Sequence, residues 1–223
     1  PVNLIATAGN TQATVSWSAP IQTGGSAITA YRVIVSPGGQ TVTMSGQTRT
    51  ATFVGLTNGA YYTFTVIATN SAGDGPPSAP SSAVKPATVP GAPINVSATA
   101  GNAQAIVRWS APEFTGGAVT TAYRVTASPG EQTITVNGST LTATFAELTN
   151  GTAYTFVVTT INAVGTGASS SASNSVTPAT VPSVPTNITA AAANTEAMVF
   201  WSAPVSTGGA AITSYKVSAN PGD

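Results

Sequence analysis

Three tryptophans, Trp17, Trp109 and Trp201, stand 92 residues apart, and the rest of the chain repeats at that interval. Trp17-Ser18-Ala19-Pro20 returns as Trp109-Ser110-Ala111-Pro112 and as Trp201-Ser202-Ala203-Pro204. Gly24-Gly25 returns at Gly116-Gly117 and Gly208-Gly209, and Leu56-Thr57-Asn58-Gly59 returns at Leu148-Thr149-Asn150-Gly151. A solenoid stacks units of 20–50 residues that cannot fold alone; a period this long instead means whole domains in tandem. Each unit is large enough to bury a small core of its own. The spacing divides the chain into repeat one (1–89), repeat two (90–181) and an incomplete repeat three (182–223), holding the first three strands only.

Within a repeat, apolar residues alternate as they do in half-buried strands. Ala13, Val15 and Trp17 share one face of a strand, as do Ala105, Val107 and Trp109, and Ala197, Val199 and Trp201. Tyr31, Val33 and Val35 oppose Arg32 and Ile34; Tyr62, Phe64, Val66 and Ala68 oppose Tyr61, Thr63, Thr65 and Ile67. Pro37-Gly38-Gly39, Thr57-Asn58-Gly59 and Gly73-Asp74-Gly75-Pro76-Pro77 are turn chemistry between these runs. No segment shows helical periodicity with caps. Short strands, about seven per repeat, predict an all-β antiparallel sandwich.

The order of these motifs resembles the fibronectin type III domain, in the form found in bacterial extracellular proteins. A Trp late in the second strand precedes a Pro and a Gly-Gly loop, and a strand centred on Tyr31, Tyr123 or Tyr215 follows. Gly55 to Phe64 resembles the family's tyrosine corner, with Tyr62 as the corner residue and Tyr154 as its mate. Ala68-Thr69-Asn70-Ser71-Ala72-Gly73 matches the run into the last loop. The resemblance implies tandem immunoglobulin-like seven-stranded β-sandwiches in an extracellular or cell-surface protein. It implies a non-catalytic structural role: a spacer, stalk or surface fibre. Alternatives are an adhesion or glycan-binding module acting through loops, or accessory domains of a secreted polysaccharide-degrading enzyme.

The chemistry of the chain points the same way. Asp, Glu, Lys and Arg make up 5% of residues, with zero net charge, against about 25% in a typical soluble domain. No basic patch exists for nucleic acid. No apolar run approaches the roughly 20 residues of a membrane helix. Cys and His are both absent, which removes common metal ligands and the usual nucleophile and proton shuttle. The acids Asp74, Glu113, Glu131, Glu147, Glu196 and Asp223 fall at non-equivalent positions. No catalytic, cofactor-binding or metal site is therefore expected. The nearest approach to a carboxylate pair is Glu113 with Glu131, both near turns of repeat two. Ala72-Gly73-Asp74 occupies the place of an Arg-Gly-Asp motif in some relatives, but Ala72 replaces the Arg. Asn95, Asn137, Asn150 and Asn187 head Asn-x-Ser/Thr sequons, and Asn150 sits in the corner turn. A binding loop should break the repeat with aromatic or charged residues, and Glu113-Phe114 is the one loop pair that does so. Ile34, Tyr61, Ile67, Phe114, Met198 and Phe200 are expected to face outward. With so little charge, and no Lys guarding the edges, they favour self-association.

Two proline-rich junctions, Lys85 to Pro93 and Thr177 to Pro185, each carry three prolines in nine residues and read as short, semi-rigid linkers. On strand rise alone, each module would add on the order of 30–40 Å to a beaded rod. Pro1 aligns with Pro93 and Pro185, and repeat three stops after its third strand. The expectation is an excerpt of a longer array. The competing expectation is that another chain completes repeat three by strand donation, which would propagate into a filament.

Overall fold

The computed structural model describes residues 1–220; Asp223 lies outside the described residues. The chain forms two compact units. One comprises Pro1–Gly91 with Pro112–Ala122 and Thr160–Ala168; the other comprises Ala92–Ala111, Tyr123–Thr159 and the chain from Ser169 onward. The first unit thus holds repeat one together with loops of repeat two.

Repeat one supplies seven strands: β1 (Val2–Gly9), β2 (Gln12–Ser18), β3 (Ile28–Ser36), β4 (Thr41–Ser45), β5 (Thr50–Val54), β6 (Thr63–Asn70) and β7 (Gly73–Asp74). They form two antiparallel sheets, in the orders β1-β2-β5 and β4-β3-β6-β7. Repeat two gives β8 (Ile94–Gly101), β9 (Gln104–Ser110), β10 (Thr120–Ser128), β11 (Thr133–Asn137), β12 (Thr142–Phe145), β13 (Thr155–Asn162) and β14 (Thr166–Ser169). Its sheets run β12-β9-β8 and β11-β10-β13-β14. The alternation seen in the sequence places one face of each sheet inward. Ala13, Val15 and Trp17 from β2 meet Tyr31, Val33 and Val35 from β3, and Phe64 and Val66 from β6, in one buried cluster. Trp17 packs on Tyr31 with ring centroids 5.5 Å apart, and Phe53 on Phe64 at 5.1 Å; Trp109–Tyr123 and Phe145–Phe156 repeat both pairs. Burying each such side chain contributes roughly 1.5–3 kcal/mol.

Local devices recur with the repeat. The first strand of each bulges at an asparagine in the left-handed region, Asn3, Asn95 and Asn187, with φ of 55°, 55° and 53°. Asparagine enters that region more readily than other side chains. Tyr62 Oη accepts the Thr57 N–H at 3.0 Å and Tyr154 Oη accepts the Thr149 N–H at 3.2 Å, which makes both tyrosine corners real.

The last edge departs from a plain strand. β7 has two residues, after which the chain turns into Pro76-Pro77. Ser78 and Ser81 then pair with β6 through both backbone and hydroxyl. Their N–H groups donate to Val66 O and Phe64 O. Their Oγ atoms accept the Val66 and Phe64 N–H groups at 3.0 and 3.1 Å. Ser170 and Ser173 do the same against Val158 and Phe156. The three-residue step is that of a polyproline-like extension, and an edge built this way offers no regular ladder to another strand.

Ile67 is a correction to the outward set: it is 9% exposed. It lies opposite Arg32 across the β3–β6 pair. Asp74 holds the Arg32 guanidinium at 2.6 Å, which keeps the aliphatic stem beside Ile67. Tyr61, Phe114, Met198 and Phe200 are exposed as expected.

In repeat three, β15 (Thr186–Ala193) and β16 (Glu196–Ser202) pair, among the described residues, only with each other. The expected third strand, around Tyr215 and Val217, has no ladder among the described residues. In repeat one the corresponding β3 is held between β4 and β6; the given sequence has no counterpart of either. Trp201 still meets the Tyr215 ring at 5.3 Å, but is 37% exposed, against 4% for Trp17.

Among the described residues, five buried side-chain polar atoms have no hydrogen-bond partner: Trp17 Nε1, Tyr31 Oη, Arg32 Nε, Trp109 Nε1 and Thr160 Oγ1. Thr160 on β13 is fully buried, and its hydroxyl has no partner; repeat one carries Ala68 there. An unsatisfied buried hydroxyl costs about 1–3 kcal/mol. Thr160→Val keeps the shape, so it is expected to raise the stability of repeat two by about 1 kcal/mol in urea unfolding; a loss of stability would show that the hydroxyl is satisfied in solution.

Candidate functional site at the repeat junctions

Within the first unit, the linker after repeat one is hydrogen-bonded on both sides. Ala87 N–H donates to Gly9 O at 3.2 Å, and Pro86 O accepts the Gly59 N–H at 2.8 Å. Thr88 N–H then donates to Gly116 O, and Gly91 N–H to Phe114 O, each at 2.8 Å. Asn162 Nδ2 donates to Thr88 O at 2.8 Å and to Thr115 O at 3.0 Å. The second unit repeats the pattern. Ala179 donates to Gly101 O, Gly151 to Pro178 O, Thr180 to Gly208 O, and Ser183 to Ser206 O, at 3.2, 2.9, 2.7 and 2.9 Å.

The Gly-Gly motif makes this approach possible. Gly116 and Gly117 have φ of 77° and 81°, a region that glycine enters without steric cost. They also leave no room. A Cβ on Gly116 would overlap Thr88 O, and one on Gly117 would overlap Gly59 N and stand 2.7 Å from Asn58 C. Gly208 and Gly209 meet Thr180 and the Asn150-Gly151 turn in the same way. The receiving turn is itself fixed. Asn58 Oδ1 accepts the Thr11 N–H at 2.9 Å, and its Nδ2 donates to Asn10 Oδ1 at 2.8 Å. Asn150 makes the same two bonds, to Ala103 and Asn102. Sequence reading saw two turns and a linker as separate features. Their recurrence in phase was the available signal that they touch.

The first junction also gathers residues that break the repeat. Lys85, Glu113, Phe114 and Val119 line an open cleft of about 800 Å³ beside the Asn58-Gly59 turn. Lys85 Nζ sits 5.5 Å from the Tyr61 ring centroid. Tyr61, Phe114 and Val119 are 66%, 49% and 78% exposed. The corresponding positions one repeat later are Ala153, Thr177, Val205, Ser206 and Ala211.

The other residues singled out in the sequence do not converge. Glu131 sits in the turn between β10 and β11 and does not line the cleft that holds Glu113. The Asp74 carboxylate is engaged by Arg32 and, at 2.6 Å, by the Thr69 hydroxyl. Among the sequons, Asn150 anchors the corner turn, and Asn137 Oδ1 accepts from Ser139 N and Oγ. Asn95 and Asn187 are the bulge residues, donating to Ser110 Oγ and Ser202 Oγ.

Paired three- and four-stranded sheets, closed by a tyrosine corner and joined through matching junctions, define tandem immunoglobulin-like modules. The model of the fibronectin type III domain matches residues 1–84 and 91–176, and the chain belongs to that family. Over 187 residues it is 37% identical to endoglucanase B of Cellulomonas fimi, covering 78% of this chain and 17% of that protein. It is 30% identical to exoglucanase B of the same organism, covering 93% and 20%. A Kelch domain-containing protein of Saccharolobus solfataricus is 31% identical, covering 71% and 21%. The chain therefore spans about a fifth of the length of these curated relatives. Among solved structures, it is similar to the FN1–FN3 domains of chicken CNTN1, at 24% identity and TM-score 0.43, covering 87% of this chain and 72% of that one. A two-domain segment of chicken tenascin gives 21% identity and TM-score 0.40, covering 78% and 97%. Among the described residues, no helix is long and apolar enough to cross a membrane.

Proposed function

We propose that this chain is a non-catalytic spacer in a secreted, polysaccharide-degrading protein, holding apart modules attached to it. The observation that carries this reading is the junction chemistry: both linkers are hydrogen-bonded to both neighbours through equivalent atoms. A linker held this way transmits position, whereas a free Gly/Ser linker does not. The names of the two Cellulomonas relatives, an endoglucanase and an exoglucanase, support the enzyme context. Grafting the chain between the catalytic and carbohydrate-binding modules of an endoglucanase tests the idea. Activity on soluble glucan should match that of a Gly/Ser-linked version, while activity on insoluble cellulose should differ. Equal activity on both substrates would contradict a spacer role.

A second reading rests on the cleft at the first junction. Tyr61 and Phe114 offer aromatic faces, and Lys85 and Glu113 offer hydrogen-bonding groups, as a glycan-binding surface requires. If it binds glycan, retardation of the chain in gels containing soluble glucan should disappear in Phe114→Ala, with the fold intact by circular dichroism. No retardation of the parent chain on any glucan would remove this reading.

A further inference from the structure

Asparagine followed by glycine is a reactive pair. The glycine nitrogen can attack the asparagine side-chain carbonyl, and a glycine has no Cβ to hinder the ring that forms. The chain has three such pairs, Asn58-Gly59, Asn137-Gly138 and Asn150-Gly151, and the fold treats them differently. In two of them, both reacting groups are engaged. Asn58 Oδ1 accepts the Thr11 N–H at 2.9 Å, its Nδ2 donates to Asn10 Oδ1 at 2.8 Å, and the Gly59 N–H donates to Pro86 O at 2.8 Å. Asn150 and Gly151 make the same bonds, to Ala103, Asn102 and Pro178, at 2.8, 2.9 and 2.9 Å. Each amide is thus tied to the turn between the first two strands of its repeat, and each glycine nitrogen to the linker.

Asn137-Gly138 stands elsewhere. It ends β11 and opens the turn that carries the chain from the four-stranded sheet of repeat two to β12 in the three-stranded one. Asn137 and Ser139 are exposed. Asn137 Oδ1 accepts both the Ser139 N–H and the Ser139 hydroxyl, each at 3.0 Å. Among the described residues, its Nδ2 donates to no group. Repeat one carries Ser45-Gly46 at this place, so the reactive amide belongs to repeat two alone.

We propose that Asn137 is a site of spontaneous covalent modification, passing through a succinimide to aspartate and isoaspartate, while Asn58 and Asn150 are kept intact by their turns. The two donors on Asn137 Oδ1 stabilise the negative charge that gathers there as the nitrogen adds. Gly138 N bonds to Asn137 Cγ and gives its proton to water. The Cγ–Nδ2 bond breaks, and Nδ2 takes up a proton and leaves as ammonia. Water then opens the ring. Cleavage between Gly138 N and Cγ restores the main chain and leaves aspartate. Cleavage between Gly138 N and the Asn137 main-chain carbonyl carbon leaves the backbone running through Cγ, as isoaspartate. The sum consumes one water and releases one ammonia, with no oxidation or reduction. Either product adds a negative charge to a chain whose net charge is zero. β11 is an edge strand, and Asn137 lies outside the buried cluster of repeat two. The sandwich therefore tolerates the change, and the charge marks the age of the chain.

The test incubates the folded chain at mildly alkaline pH, where the glycine nitrogen loses its proton more readily, and follows the three Asn-Gly peptides by mass spectrometry. Enzymatic methylation of isoaspartate gives a second readout. Asn137 should convert at least about tenfold faster than Asn58 or Asn150, whose reaction must wait for local opening of their turns. In urea, where the protecting bonds are lost, the three rates should converge. Ser139→Ala should slow Asn137 and leave the other two unchanged, with circular dichroism unaltered; an unchanged rate would overturn the part given to the hydroxyl. Asn58 or Asn150 converting as fast as Asn137 in the folded chain would overturn the proposal. A preference for Asn137 that persists undiminished in urea would trace it to local sequence and overturn the protection assigned to the fold.

Discussion

Gly117→Asn is expected to release the contact between repeats one and two while each sandwich stays folded. Asparagine accepts the backbone conformation at Gly117, where φ is 81°, so the substitution isolates the steric effect. The new Cβ would fall on Gly59 N and within 2.7 Å of Asn58 C. Both are backbone atoms, and the Asn58 turn is pinned to Asn10 and Thr11, so the obstacle cannot rotate aside. Separating the loops removes the bonds from Thr88 to Gly116, from Gly91 to Phe114 and from Asn162 to Thr88. At about 0.5–1.5 kcal/mol each, these three amount to roughly 1.5–4.5 kcal/mol of junction stability. Limited digestion with a protease of broad specificity checks this. The linker between Lys85 and Pro93 should be cut much faster in the variant, with resistant single repeats accumulating. Cleavage at the parent rate would mean that the linker's order does not depend on the glycine contact.

Ser173→Ala is the second large effect, and it acts inside repeat two. The Ser173 hydroxyl accepts the Phe156 N–H at 3.1 Å and donates to Asn174 O at 2.8 Å, and the residue is 8% exposed. Alanine leaves the Phe156 N–H buried with no acceptor, in a strand whose ring packs against Phe145. An unsatisfied buried donor costs about 1–3 kcal/mol, so the urea midpoint of repeat two should fall without a change in slope. Ser171→Ala is the control: Ser171 is exposed, and only its backbone carbonyl is used, by Ser170 Oγ. Equal behaviour of the two variants would refute the role given to the hydroxyl.

The sandwich was legible because its information is local and periodic. Val15 and Trp17, or Phe64 and Val66, alternate with polar residues over whole strands, and the tyrosine corner is five residues from donor to acceptor. Ile67 was misread because its cover comes from across the sheet, through Arg32 held by Asp74. The serine-bonded edge was missed because Ser78 and Ser81 resemble ordinary loop residues until their hydroxyls are seen meeting the β6 amides. In repeat one, β3 is held between β4 and β6. The junctions were half legible. Phase-locked recurrence marked Gly116-Gly117, Asn58-Gly59 and Thr88-Val89-Pro90 as important, but their contact depends on the close approach of loops far apart in sequence.

The central claim is that the linkers are structured parts of the junctions. Native-state amide exchange at Thr88 and Gly91 in the unmodified chain tests it most directly. The account predicts that both amides are protected through their bonds to Gly116 O and Phe114 O, and that protection at Thr180 and Ser183 follows the same pattern. Exchange at all four at the rate of an unstructured peptide, with the β6 and β13 amides fully protected, would contradict it.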